Sequence, residues 1–333
     1  MNTKNSYLNI VAILLVIIFL IAAAFLFLQL WENRRDDFAD PGTEYDTLTY
    51  EGREYVRKDQ IESYLVIGLD RYEDAMSSDS HGSGVQADFL LLMVFDNESK
   101  QSVALQINRD AMTKVNKLSI GGTAVVDSYT AQIALAYNYV NDDNEKIRCN
   151  NTIDSVEYLL KGVDVDHYFA VTMDAVAASC DVVGGVEVTV LEDFTGIDDS
   201  LVKGQTVKLS GEQALRYVRT RYGLEDSTNN TRMKRQQQYL NALYDQIVAN
   251  INADEGFIVE LVDAVDDYVV YDSSDQRMQQ LIEKFDEYEF LGIRELEGES
   301  KLGEEFVEFY PNEESVRKTV IDLFYTPKMN GEE

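Results

Sequence analysis

Arginines crowd one stretch of this chain. Between Leu209 and Gln238 lie Arg216, Arg219, Arg221, Arg232 and Arg235, in a protein with 29 Lys+Arg against 60 Asp+Glu and a formal charge of −31. Each guanidinium offers five N–H donors in a planar fork, so clustered arginines suit a pyrophosphate. Arg219, Arg221, Arg232, Arg235 and Gln236 form that candidate set. Surface ion pairs to the acidic chain are an equally direct reading of them, and Arg216 and Lys234 are assigned to solvent. Asp70 and Asp88 each sit beside an apolar run. Paired carboxylates at neighbouring strand ends can hold Mg²⁺ while a phosphate completes its shell, or can simply be solvated strand ends. Arg109-Asp110 follows a third apolar run; Arg109 can bind a phosphate with Asp110 fixing its orientation, or the two form an ordinary salt bridge.

Other chemistries are disfavoured. There is no GxSxG, HExxH or Walker-type loop, which argues against hydrolase triads, zincins and P-loop enzymes. Cys149 and Cys180 form no CxxC pair, so a zinc site is not indicated; one disulfide and two free thiols both stay open. His81 and His167 read as loop or structural residues. So acidic a protein repels duplex DNA and anionic surfaces, so no nucleic-acid partner is expected.

These residues need elements to position them. With 45% hydrophobic residues in 333 there is ample material for a core. Ile10–Leu28 is an unbroken run of 19 apolar residues. At about 1.5 Å per residue it just spans a bilayer core, and it is too long for a signal-peptide core. Residues 1–9 then form a short cytoplasmic tail, 10–31 an uncleaved transmembrane anchor and 32–55 a juxtamembrane linker. Leu48–Val56 reads as a hairpin turning at Glu51-Gly52. Tyr64–Leu69, Phe89–Asp96 and Ser102–Ile107 read as buried strands, with a Ser/Asp/Gly-rich loop over 72–86. Thr130–Val140 and Asn151–Leu160 have helical spacing, the second capped by Asn150 or Asn151. Tyr168–Val171, Met173–Val182 and Val186–Leu191 read as strand, helix, strand. Such alternation points to an α/β sandwich.

Ser210 with Gln213 is a capping-box pattern opening a helix at Gly211–Val218. After a loop at Gly223–Thr231 comes a long helix, with Met233, Gln237, Leu240, Tyr244, Ile247 and Ile251 as its buried stripe. Residues 253–333 read as an acidic C-terminal extension packing on the core, with helices at Gln276–Phe285 and Glu313–Leu323 and a strand at Glu305–Tyr310.

The ordered motifs are an apolar anchor, IGLDR, QADFLLLMVFD, INRDAM, GGVEVTV, LSGEQALRYVRTR and RMKRQQQYL. Together they resemble the LytR-CpsA-Psr family of cell-wall ligases over roughly Tyr64–Ala249. The resemblance implies a three-layer α/β/α sandwich around a mostly mixed central sheet, with an apolar interior for a lipid. The domain would span residues 56–252. It implies Mg²⁺ on Asp70 and Asp88, and pyrophosphate on Arg71, Arg109, Arg219, Arg221, Arg232 and Gln236. Asp70, Asp88 and Arg109 become the catalytic set. The implied activity moves a glycopolymer from a polyprenyl-pyrophosphate carrier to peptidoglycan, outside the cell membrane. Against the family's pattern, Gln86-Ala87 replaces an Arg-Ser pair, Asn108 a proline and Asn229 an aspartate, and Gln132 lies near where a lysine is often found. The alternative is a non-catalytic envelope protein that binds polyprenyl phosphate or regulates wall assembly.

Overall fold

The computed structural model describes residues 47–70, 85–140, 144–221, 223–224, 229–254, 256–272, 288–303 and 306–328. The anchor, the tail, most of the linker, most of the 72–86 loop and the helix expected at Gln276–Phe285 lie outside the described residues. Among those described, no helix is long and apolar enough to cross a membrane.

Strands β1 (Thr47–Tyr50) and β2 (Arg53–Arg57) form the expected hairpin. Its turn works because Glu51 and Gly52 both take positive φ, 48° and 76°. Next come β3 (Ile61–Leu69), β4 (Ala87–Asp96) and β5 (Gln101–Ile107), the three apolar runs. Strands β6 (Met112–Leu118) and β7 (Val125–Gln132) form a second hairpin. The helix expected at Thr130–Val140 is therefore absent: its start belongs to β7, paired with β6 from Gln132↔Met112 onward. A short 3-10 turn, Ile133–Leu135, follows. Helix α1 (Glu145–Leu159) begins earlier than expected, because the Asn144 side chain accepts from Lys146 N and caps it.

β8 (His167–Thr172), α2 (Met173–Val182) and β9 (Val186–Thr189) follow as read. However, β9 pairs with β10 (Thr206–Leu209) in a sheet of its own. Then come α3 (Gly211–Arg219), α4 (Asn229–Ala253), α5 (Phe257–Val265) and β11 (Val269–Tyr271). The chain closes with β12 (Glu289–Glu295), β13 (Gly298–Leu302), β14 (Val307–Pro311), α6 (Glu313–Phe324) and β15 (Tyr325–Pro327). Six strands are hydrogen-bonded in the order β11-β8-β3-β4-β5-β12. The stretch after residue 252 thus supplies both edge strands of the main sheet.

The chain divides into two compact units, whose boundaries fall inside β3 and β4. The first includes 66–90 and 168–289, the second 47–65, 91–167 and 290–333. In the first, α2 packs on α3 and α5, and Ala175, Ala214, Tyr217, Leu243, Ile247 and Leu261 are buried. In the second, α1 packs on β6, burying Val115, Val156 and Leu160. Cys149 and Cys180 are both free and buried.

Candidate active site

The site is built from strand ends and helix ends of the first unit. Asp70 follows the last residue of β3, and its amide donates to the Gln86 carbonyl at 3.0 Å, tying it to the residue just before β4. Asp88 is the second residue of β4 and is buried. Gly68 permits this approach: a Cβ there would lie 2.7 Å from Phe89 Cβ.

α3 starts on the expected capping box, with both reciprocal Ser210–Gln213 bonds formed. It also starts hard against α2. Gly211 N donates to Asp181 Oδ1 at 2.6 Å, and a Cβ on Gly211 would meet Ala177 O and Asp181 Oδ2 at 2.5 Å. α3 ends at Arg219, and Thr220 turns to extended backbone with ψ 130°. Arg219 Nη2 approaches Asp70 Oδ1 to 2.8 Å, both side chains being partly exposed. That oxygen has no aligned hydrogen bond, so the contact is charge on charge. Arg221 follows, half-buried.

α4 begins at Asn229, inside the expected loop, and Asn229 is buried. Arg232 is buried one turn on, with Nη1 3.2 Å from Asp88 Oδ2 and Nη2 donating to the Asp88 carbonyl at 3.2 Å. Gln236 Nε2 donates to the Val218 carbonyl at 3.3 Å. Two aspartates thus each meet an arginine, Asp70 with Arg219 and Asp88 with Arg232.

The model of the LytR_cpsA_psr family matches residues 39–319. The chain belongs to this family. A curated relative, Biofilm regulatory protein A of Streptococcus mutans, is 26% identical over 211 residues, which cover 61% of this chain and 48% of the relative. The chain therefore spans about half the length of that relative. Solved structures share the mixed α/β fold. TagV of B. subtilis matches with a TM-score of 0.54 and 25% identity, covering 80% of this chain and 97% of that one. The protein gbs0355 of Streptococcus agalactiae gives a TM-score of 0.61 at 19% identity, covering 79% and 87%. TagT bound to LI-WTA gives 0.56 at 19%, covering 80% and 90%.

Of the LytR_cpsA_psr residues expected in the site, Asp70, Asp88, Arg219, Arg221, Arg232 and Gln236 are all in the first unit. Arg71 lies outside the described residues. Arg109 is in the second unit, where its Nε is 3.4 Å from Asp110 Oδ1. The buried Asp110 is held in turn by Gln132, whose Nε2 donates to Asp110 Oδ1 at 3.1 Å and to the Val307 carbonyl at 2.8 Å. The Gln132 amide thus serves the carboxylate that contacts Arg109.

Three expectations need correcting. Arg216 does not point to free solvent: it pairs with Asp198 at 2.7 Å and with Glu212. Arg235, grouped with the ligand-facing arginines, is 1% exposed, with Nε 2.7 Å from Glu192 Oε2. Burial lowers its pKa, and Glu192 opposes the shift. The buried stripe of α4 is also displaced. Met233 and Ile247 are buried as expected, but the stripe otherwise runs through Arg232, Arg235, Gln236, Tyr239, Leu243 and Val248, rather than through Gln237, Leu240, Tyr244 and Ile251. A hydrophobic pattern cannot show a stripe that includes neutralised arginines. The spacing of Arg232 and Arg235, one helical turn apart, was the available signal.

Among the described residues no group of three or more His, Cys, Asp or Glu could hold a metal. Two carboxylates still fit Mg²⁺, which typically binds one or two and takes its other ligands from phosphate and water.

Proposed function

We propose that this chain is a membrane-anchored, extracytoplasmic phosphotransferase, moving a glycopolymer from a polyprenyl-pyrophosphate carrier to peptidoglycan. The observation that carries it is the pairing of Asp70 with Arg219 and Asp88 with Arg232, in a chain of the LytR_cpsA_psr family. TagT is seen with LI-WTA; the shared fold supports a bound ligand here, and the lipid-linked class rests on family membership.

Asp70 and Asp88 would hold Mg²⁺, which supplies charge neutralisation of the pyrophosphate when bound. Arg219, Arg221, Arg232 and Gln236 bind and orient its oxygens, with Arg219 and Arg232 releasing their aspartates and Gln236 the Val218 carbonyl as they do so. Arg71 and Arg109 are assigned to the same ligand by the family's pattern, and Asp110 fixes the Arg109 fork within its own unit. A hydroxyl of the acceptor attacks the phosphorus attached to the glycan. A phosphodiester forms, the bond to polyprenyl phosphate breaks, and the hydroxyl proton passes to solvent or to a carboxylate. The arginines act by position and by stabilising charge on the leaving oxygen. An apolar interior of an α/β/α sandwich would take the polyprenyl tail, and the 10–31 segment would hold the domain at the cell membrane.

The test uses the full chain purified in detergent. Mass spectrometry is expected to find co-purified polyprenyl phosphates, and a polyprenyl-pyrophosphate glycan is expected to be cleaved only with Mg²⁺. Asp88→Asn, which keeps an acceptor for Arg232, should lower that cleavage about 100-fold or more. Absence of both lipid and Mg²⁺-dependent cleavage sinks the proposal. Full cellular function in Asp88→Asn would favour the non-catalytic lipid-binding or regulatory reading.

A further inference from the structure

Arg235 is buried where no ligand is expected, yet it is bonded to the segment that carries two candidate ligand-binding residues. Its Nε faces Glu192 Oε2 at 2.7 Å. Its Nη1 donates to the Tyr217 carbonyl and its Nη2 to the Thr220 carbonyl. The guanidinium lies 5.3 Å from the Phe194 ring centroid and 5.7 Å from that of Tyr217, and these two rings stack on each other at 5.6 Å. Tyr217 is itself pinned: its hydroxyl accepts from Leu191 N at 3.2 Å and donates to Gln238 Oε1 at 2.6 Å.

The last carbonyls of a helix lack intrahelical partners, and a cation is favoured there. Arg235 meets both needs at the end of α3, and its neighbour Gln236 takes the Val218 carbonyl. A rigid planar fork presents separate donors to a carboxylate and two carbonyls in one fixed geometry, which the compact ammonium of a lysine does not reproduce. Thr220, whose carbonyl is held, lies between Arg219 and Arg221.

We infer that Arg235 is a positioning residue. With Glu192 as counter-charge, it clasps the C-terminal carbonyls of α3 to α4 and so fixes the directions of Arg219 and Arg221, without touching the ligand. Its link to ligand binding rests on the pyrophosphate reading above.

Two measurements on the full chain in detergent test it. In hydrogen exchange without ligand, Arg235→Met should speed exchange over residues 211–221 and leave residues 240–253 protected. Unchanged protection over 211–221 overturns the clasp, whatever the chain binds. In calorimetry with inorganic pyrophosphate, Arg219→Ala and Arg232→Ala should each weaken binding about tenfold or more in the native background. In the Arg235→Met background, Arg219→Ala should cost less than about twofold while Arg232→Ala keeps its full effect. Additive effects of Arg219→Ala and Arg235→Met overturn the positioning role. Arg235→Lys, which keeps charge without the fork, should restore part of the thermal stability but not the coupling. If the native chain binds no pyrophosphate, the reading of the site fails, and hydrogen exchange alone decides the clasp.

Discussion

Two packing regions, one in each unit, bury polar side chains by different means. Around α3 and α4 the buried groups are opposite charges, Arg232 with Asp88 and Arg235 with Glu192. Where α1 packs on β6, neutral groups dominate. Asn151 Nδ2 donates to the Asn116 and Ala136 carbonyls at 3.0 and 2.6 Å, and Ser128 Oγ donates to Asn116 Oδ1 at 2.9 Å. A neutral network of this kind serves packing: each bond is directed at one partner and offers little to an ion. Buried charge pairs cost desolvation and add little net stability, so they point to a demand beyond folding. Under the proposed function, that demand is to hold the Arg232 guanidinium where an anion can replace its carboxylate, and Arg235 where it fixes the end of α3.

The sharpest way to break this contrast is Asp88→Ala. It leaves Arg232, only 4% exposed, without its carboxylate. Removing one partner of a buried pair costs about 3–5 kcal/mol, and urea unfolding should register a loss of that size. A loss under about 1 kcal/mol would mean that Arg232 is solvated after all, and that the two packing regions bury polar groups in the same way. Asn151→Ala comes next. It strands two buried carbonyls and leaves a small void, for an expected loss of about 2 kcal/mol in the same assay. Pyrophosphate binding should not change; weakened binding would place α1 and β6 within the functional machinery and erase the distinction.

The sequence made the two units unequally legible. In the first, local rules sufficed for the frame. Continuous apolar runs mark β3 and β4, the Ser210–Gln213 pair marks the start of α3, and motif order brought Asp70, Asp88 and the arginines onto the same list. Residue type and spacing alone did not separate Arg232 from Arg235; only the family resemblance did. Arg232 and Arg235 share a residue type and lie one turn apart, and they differ only in whether Asp88 or Glu192 meets them, which is a tertiary fact. In the second unit spacing points to the wrong element type. The stretch at Thr130–Val140 matches helical spacing, but Thr130, Ala131 and Gln132 are held extended by their pairing with β6. Asn144 capped α1 in place of Asn150 or Asn151, because the interior position of Asn151 is fixed by carbonyls on β6 and in the turn after β7.

The smallest effect concerns the one carboxylate within the neutral network. Asp154 Oδ2 accepts from Asn116 Nδ2 at 3.3 Å. Burial raises its pKa to about 6, against the lowering pull of Asn116 and of Lys114. Lys114 is itself drawn over the Tyr158 ring, 4.2 Å from its centroid. The folded state therefore holds this proton more tightly than the unfolded chain, whose aspartate titrates near 3.8. Asp154's contribution is fully present below that value and is lost as pH rises through about 6. Asp154→Asn keeps an oxygen for Asn116 and removes the titration. The variant should match the native protein near pH 4 and exceed it by about 1–2 kcal/mol at pH 7, with the difference opening between those limits. Comparing urea midpoints of the two proteins across this range isolates Asp154 from all other carboxylates. A constant difference would show that a charge is accepted between α1 and β6 as readily as between α3 and α4, and that the neutrality of this network is incidental.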